Sequence, residues 1–88
     1  MRIQFYPPYD AIIGAPELNL ELDNLTLWEL LQYLAGKYPA FGAELPLEAT
    51  DEALRARLLP LSEGRIYSVH DIIPTSITLK IFPPVTGG

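Results

Sequence analysis

The stretch LTLWELLQYLAGKYP, residues 25–39, decides the fold because it predicts the main helix of the chain. Its leucines recur at the spacing i, i+3, i+4 and i+7, which places them on one side of a helix. These apolar positions are Leu27, Leu30, Leu31 and Leu34. The pattern predicts a helix with an apolar stripe that faces a sheet.

Both ends of this helix carry sequence signals. Thr26 with Glu29 three residues later is typical of a capping box, so the helix is expected to begin just after Thr26. Gly36 is expected to close the helix in a left-handed conformation, and Pro39 prevents the helix from resuming.

Two strands are predicted before the helix. Ile3 and Phe5 alternate with polar residues, and Pro7 follows as a stop. The segment ELNLELD, residues 17–23, places leucines on one face and acidic residues or asparagine on the other. Two such strands close together in sequence predict a hairpin.

Three elements are predicted after the helix. TDEALRARLL, residues 50–59, indicates a short second helix with acids at its start and arginines toward its end. GRIYSVHDII, residues 64–73, is rich in β-branched and aromatic residues and predicts a strand. SITLKIF, residues 76–82, alternates Ile77, Leu79 and Ile81 with Thr78, Lys80 and Phe82 and predicts the last strand.

This order of elements predicts an α+β fold of the ubiquitin-like β-grasp type. A mixed sheet of four to five strands would pack on one main helix, with a short second helix beside it. The first and last strands would lie parallel in the middle, with the helix in their crossover. Residues 1–82 form the predicted domain, and residues 83–88 form an extended, flexible tail that ends in Gly-Gly. The far face of the sheet would stay open to partners.

Composition excludes several classes of function. The 88 residues suit one domain with a thin core, and the net charge of −5 with only six Lys and Arg residues argues against nucleic acid as a partner. The absence of cysteine excludes disulfides and thiolate sites. No signal peptide or membrane span is predicted, so we expect a cytoplasmic protein that does not bind membranes.

The tail IFPPVTGG, residues 81–88, gives the sequence a specific likeness. Together with the order of elements it resembles the MoaD/ThiS family of ubiquitin-like sulfur carriers, and it is most similar to MoaD, the small subunit of molybdopterin synthase. MoaD-like chains commonly carry Gly-Asp-Glu-Val before the final strand. Here IIPTSITL stands in that region, so the turn there is expected to use Pro74, Thr75 and Ser76.

The resemblance implies a function in molybdenum cofactor biosynthesis. An adenylyltransferase like MoeB or ThiF would use ATP to adenylate the carboxylate of Gly88, and a sulfur donor would convert it to a thiocarboxylate. A large subunit like MoaE would then bind the carrier, in a heterotetramer, and use its sulfur. The chain itself would be a cosubstrate without a bound cofactor or metal, and not an enzyme.

The composition of the tail gives physical reasons for that chemistry. Gly87 lacks a Cβ atom and so leaves clearance for a carboxylate that must enter a narrow site. Pro83 and Pro84 have a fixed φ angle, which favours an extended tail that reaches on the order of 20 Å over six residues. Adenylation supplies a good leaving group for attack by sulfur on Gly88.

Partner binding is predicted where the tail leaves the sheet. Tyr6 and Phe82 are out of phase with the core residues of their strands, so both are expected on the open face. Together with Pro83, Pro84 and Val85 they are the predicted partner-binding residues. The family uses this face for both of its partners.

Other functions remain open at this point. The chain is alternatively a sulfur carrier for thiamine, cysteine or tungsten-pterin pathways, a modifier conjugated to protein lysines, or a plain binding module. No catalytic role is expected for the remaining polar residues, which are interpreted as structural or solvated. These are Asp51, Glu52, Arg55, Arg57, His70 and Asp71.

Overall fold

The structure is a computed structural model that describes residues 1–84. Its elements in chain order are β1 Arg2–Phe5, α1 Tyr9–Ile13, β2 Glu17–Asn19, α2 Leu27–Lys37, α3 Pro39–Gly42, α4 Asp51–Arg55, β3 Leu59–Ser62, β4 Arg65–Ile66 and β5 Thr78–Phe82. The five strands form one sheet in the order β2-β1-β5-β3-β4. The β1 and β5 strands are parallel neighbours and the other pairs are antiparallel, which confirms the predicted β-grasp fold.

The core lies between one face of the sheet and α2. Register pairs Ile3 with Leu79 and Phe5 with Ile81, so the two central strands present these side chains on the same face. They are buried, as are the four leucines of the predicted helical stripe. Each fully buried leucine or isoleucine stabilises the fold by roughly 1.5–3 kcal/mol relative to an exposed one. The helix therefore holds the parallel strand pair together.

The start of α2 is as predicted and its end is not. Glu29 N donates to Thr26 Oγ1 at 3.1 Å, and Thr26 N donates to Glu29 Oε1 at 2.9 Å, which completes the capping box. The predicted left-handed stop at Gly36 is wrong, because the helix continues to Lys37. Tyr38 ends it with φ −128° and ψ 85°, since the residue before a proline is driven out of the helical region.

Two short helices, α1 and α3, were not predicted, and they add buried aromatic residues to the core. Phe41 of α3 packs edge-to-face against Phe5 and against Tyr9 of α1, with centroids 6.0 Å apart in both pairs. The Tyr9 hydroxyl donates to the backbone oxygen of Arg57. Burial raises the pKa of this hydroxyl above its ordinary value, and the Glu44 carboxylate adds to the increase.

The predicted second helix is shorter than residues 50–59, and its last residue belongs to an unpredicted strand. Helix α4 ends at Arg55, and Leu59 begins β3. Pro60 is tolerated inside β3 because its backbone groups point to the β4 side of the strand and not to β5. Tyr67 N, directly after β4, donates to Pro60 O at 2.9 Å. Backbone groups alternate in direction along a strand, so those of the flanking Leu59 and Leu61 point to β5 and the proline removes no bond from that ladder.

The strand predicted over residues 64–73 is reduced to two residues, Arg65 and Ile66. Pro60 offers no N–H to continue the pairing, so the segment after Ile66 is held by other hydrogen bonds. Ser68 N donates to Asp71 Oδ2 at 2.8 Å, and Val69 N donates to Asp51 Oδ1 at 2.9 Å. The expected turn before the last strand is present at Thr75 and Ser76. In residues 1–84 no helix is long and apolar enough to cross a membrane.

Candidate docking face at the root of the tail

The face of the sheet opposite α2 carries an apolar patch near the end of β5. Register places Leu59 opposite Phe82, and Leu61 opposite Ile66. The alternating burial of β3 and β5 puts Leu59, Leu61 and Phe82 away from the core, and Ile66 is 40% exposed. We call these four residues, with Tyr6, the apolar patch.

Tyr6 and Phe82 are stacked on each other within this patch. Their ring centroids are 4.2 Å apart and their planes differ by 10°. Tyr6 N donates to Ile81 O at 3.0 Å, which fixes Tyr6 beside β5 although β1 has ended at Phe5. The stack confirms the prediction that the two aromatic side chains lie on the same face. Both rings are half-buried, because each covers part of the other. The stack gives the patch a continuous aromatic surface.

Polar residues border the apolar patch on the β1 and β2 side. Gln4 Nε2 donates to Glu17 Oε1 at 3.1 Å, and Arg2 Nε lies 3.7 Å from Glu17 Oε2. A shallow pocket beside Tyr6 is lined by Gln4, Phe5, Pro16 and Glu17. The face thus combines an apolar centre with a polar margin, as protein–protein interfaces do.

The predicted tail begins at the edge of the apolar patch. Phe82 is the last residue of β5, Pro83 is exposed and Pro84 is half-buried. The other predicted site residues, Val85, Gly87 and Gly88, lie outside the described residues. A partner that covers the patch would therefore contact Phe82, directly before the first residue of the predicted tail.

Among the polar residues without a predicted role, Asp51 and Asp71 accept backbone hydrogen bonds. His70 is exposed, and Asp71 accepts from Arg65 Nη2 at 3.0 Å. The hydrogen bond from Val69 N holds the pKa of the Asp51 carboxyl below its ordinary value. Within residues 1–84 no group of three His, Cys, Asp or Glu side chains is placed to hold a metal ion.

Sequence reasoning missed three members of the apolar patch, Leu59, Leu61 and Ile66. The alternation of leucines around Pro60 in LLPLS was a signal for β3, but the proline and the preceding helical pattern obscured it. Once β3 is recognised, its two outward leucines follow from the two-residue period of a strand.

Comparison with solved structures identifies proteins of the same fold. The crystal structure of small archaeal modifier protein 1 from Haloferax volcanii has a TM-score of 0.76 and 21% identity, covering 97% of both chains. A Pyrococcus furiosus protein assigned as molybdopterin converting factor, subunit 1, has a TM-score of 0.76 and 20% identity, covering 96% of this chain and 95% of its own. Small archaeal modifier protein 1 from Methanosarcina acetivorans has a TM-score of 0.74 and 22% identity, covering 99% and 94%.

These similarities extend over nearly the whole of each chain and establish the fold. No protein-family model and no curated protein matches the sequence. The chain therefore has the same β-grasp fold as small archaeal modifier protein 1 and as a molybdopterin converting factor subunit, at an identity near 21%.

Proposed function

We propose that this chain is a ubiquitin-like sulfur carrier that acts as the small subunit of a molybdopterin synthase in molybdenum cofactor biosynthesis. An adenylyltransferase like MoeB or ThiF would adenylate the Gly88 carboxylate with ATP, and a sulfur donor would convert it to a thiocarboxylate. A large subunit like MoaE would then bind the carrier in a heterotetramer. The chain would supply the reacting atom to enzymes and would not itself catalyse a step.

The observation that carries this proposal is the position of the apolar patch at the root of the tail. A carrier must bind its enzyme through the folded body and deliver its carboxylate into the enzyme's site. The stacked Tyr6 and Phe82 end where Pro83 begins, so binding at the patch would fix the origin of the tail. Fixing that origin reduces the number of positions that the carboxylate can occupy relative to the reacting phosphate, and so lowers the entropy cost of bringing them together.

The tail sequence supports the same chemistry. Gly87 and Gly88 place no side chain next to the carboxylate, and the Pro83-Pro84 pair restricts the backbone that leads to it. Reaction of the carboxylate with the α-phosphate of ATP releases pyrophosphate, and AMP then becomes the leaving group for sulfur. Docking and reaction are thus assigned to separate parts of the chain.

The test is ATP–pyrophosphate exchange catalysed by a MoeB-like enzyme, with the intact chain and with a chain that lacks Gly88. The intact chain should support exchange, and the shortened chain should not. Because the shortened chain keeps the apolar patch, it should still inhibit exchange competitively when added to the intact chain. Equal exchange with both chains would contradict the assignment of Gly88.

A second function, conjugation to protein lysines, is supported by the likeness of the fold to small archaeal modifier protein 1 of two organisms. Both functions begin with adenylation, so the exchange assay does not separate them. They differ in the product: a carrier ends as a thiocarboxylate, and a modifier ends as an amide of a lysine. Recovering the tagged chain from cells and determining the mass of its C-terminal peptide separates the two.

A further inference from the structure

The chain contains few amines that an activated carboxyl group could acylate. Its lysines are Lys37 and Lys80, and the α-amine of Met1 is the third primary amine. An acyl-adenylate reacts with amines as well as with sulfur, so an exposed amine among these three could join one copy to another.

Two of the amines are restricted by the fold. The Met1 nitrogen donates to Leu20 O at 2.7 Å and is partly buried. Lys80 is half-buried in the central strand β5, between Gln4 of β1 and Leu61 of β3 in the register. Lys80 also lies on the face that carries the apolar patch, so a docked partner would cover it.

Lys37 differs from both because it is exposed in the last turn of α2. Its Nζ lies 5.4 Å from the centroid of the Tyr33 ring, and within residues 1–84 no carboxylate oxygen lies within ion-pair distance of it. The surface beside Lys37 carries small residues: Gly36 has open space where a Cβ atom would stand, and Ala40 is exposed. An incoming acyl group therefore meets no side chain larger than a methyl group at Gly36 and Ala40.

Lys37 also lies on the side of the molecule away from the docking face. Helix α2 packs with its leucines on the core face of the sheet, whereas the apolar patch occupies the opposite face. A copy whose apolar patch is occupied by an enzyme can therefore still offer Lys37. This separation allows a second copy to react without competing for the docking face.

We propose that Lys37 is the amine that accepts the activated Gly88 carboxyl group of a second copy of this chain. This inference rests on the proposed function, because adenylation by a nucleoside triphosphate supplies the acyl donor. Unprotonated Nζ attacks the carbonyl carbon of the acyl-adenylate, and a C–N bond forms. The C–O bond to AMP breaks, AMP leaves with the bonding electrons, and the nitrogen releases a proton to solvent.

The first test needs no enzyme. A synthetic peptide, Pro-Pro-Val-Thr-Gly-Gly activated as a C-terminal thioester, is incubated with the folded chain, and the acylated positions are mapped by mass spectrometry. Lys37 should carry most of the label. Lys37→Arg should remove most of it, and Lys80→Arg, the matched control, should leave it unchanged. Label found mainly on Lys80 or Met1 would overturn the inference.

The second test uses intact chains, the adenylyltransferase and ATP, without a sulfur donor. The expected product has the mass of two chains less one water, with Gly88 of one copy joined to Lys37 of the other. A product with the mass of one chain less one water would overturn transfer to a second copy. Pyrophosphate exchange without a Lys37-linked dimer would overturn this inference alone, whereas absence of exchange would overturn the proposed function and the dimer together.

Discussion

Strand β5 presents two faces that differ in burial. Successive residues along its five positions point to opposite sides of the sheet. Leu79 and Ile81 are fully buried against the core, whereas Lys80 and Phe82 are half-exposed on the other side. The buried pair contributes apolar area that stabilises the fold. The outward pair adds less to folding and leaves surface for a partner. The comparison separates residues that stabilise the fold from residues that are available to bind a partner.

The largest effect is expected on the core face. Leu79→Ala should lower the free energy of unfolding by about 2–5 kcal/mol, because it leaves a cavity beneath α2. Urea denaturation measures this, with Thr78→Ala on the open face as the control, expected to cost less than about 1 kcal/mol. Similar losses in the free energy of unfolding for the two variants would contradict the proposed difference between the faces.

The next largest effect is expected on the rate of adenylation, from a change in the tail that does not touch the core face of β5. Gly87→Val adds bulk and restricts the backbone beside the reacting carboxylate, so adenylation should fall roughly a hundredfold, as expected for a displacement of about 1 Å. The measurement is ATP–pyrophosphate exchange at saturating carrier. Thr86→Val is the matched control, because it exchanges a hydroxyl for a methyl group one residue away. Normal exchange by the Gly87 variant would mean that clearance is not needed there.

A smaller effect is expected from the outward aromatic. Phe82→Ala should weaken binding to the adenylyltransferase or the large subunit by about 1–3 kcal/mol, as for an aromatic anchor at an interface. Isothermal calorimetry measures this affinity. Tyr6→Phe keeps the stacked ring and should bind nearly as the unchanged chain does. An affinity of Phe82→Ala equal to that of the unchanged chain would remove Phe82 from the interface.

The smallest effect is a pH dependence at Asp51, in the first turn of α4 and outside β5. Its carboxyl pKa is lowered in the folded chain by the Val69 N–H, so the charged form favours folding. This stabilisation is present above the unfolded pKa and disappears as pH falls through the folded pKa. Because solvent screens this partly exposed carboxylate, Asp51→Asn should cost less than about 1 kcal/mol at neutral pH, and nothing in strong acid, where the carboxyl is protonated.

Urea denaturation across pH tests this sign, with Glu52→Gln as the control. Glu52 is exposed in the same first turn of α4. A difference between Asp51→Asn and the unchanged chain that grows toward low pH would contradict the assignment.

The sequence predicted those elements whose signals are local. The capping box of α2 and the alternation of β5 were recovered, because each depends on residues within one turn or one strand. The end of α2 was missed because Pro39 acts on Tyr38 more strongly than Gly36 favours a left-handed stop. Strand β3 was missed because the tolerance of Pro60 depends on which neighbour its backbone faces, which only the assembled sheet decides.

The candidate docking face was predicted in part from the sequence. Tyr6 and Phe82 were placed on one face by strand phase, and the stack confirms that placement. Their direct contact depends on the parallel register of β1 and β5, which no local pattern encodes. The outward leucines of β3 and Ile66 required the missed strand. The roles of Val85, Gly87 and Gly88 remain predictions from the tail sequence.

The central claim is that Gly88 carries sulfur, and the mass of the intact chain tests it most directly. The chain is incubated with a MoeB-like enzyme, ATP and a sulfur donor, and its mass is compared with that of a reaction without ATP. The account predicts a mass increase equal to the replacement of one oxygen by sulfur, located in the C-terminal peptide. An unchanged mass in a folded chain that does support pyrophosphate exchange would contradict the claim.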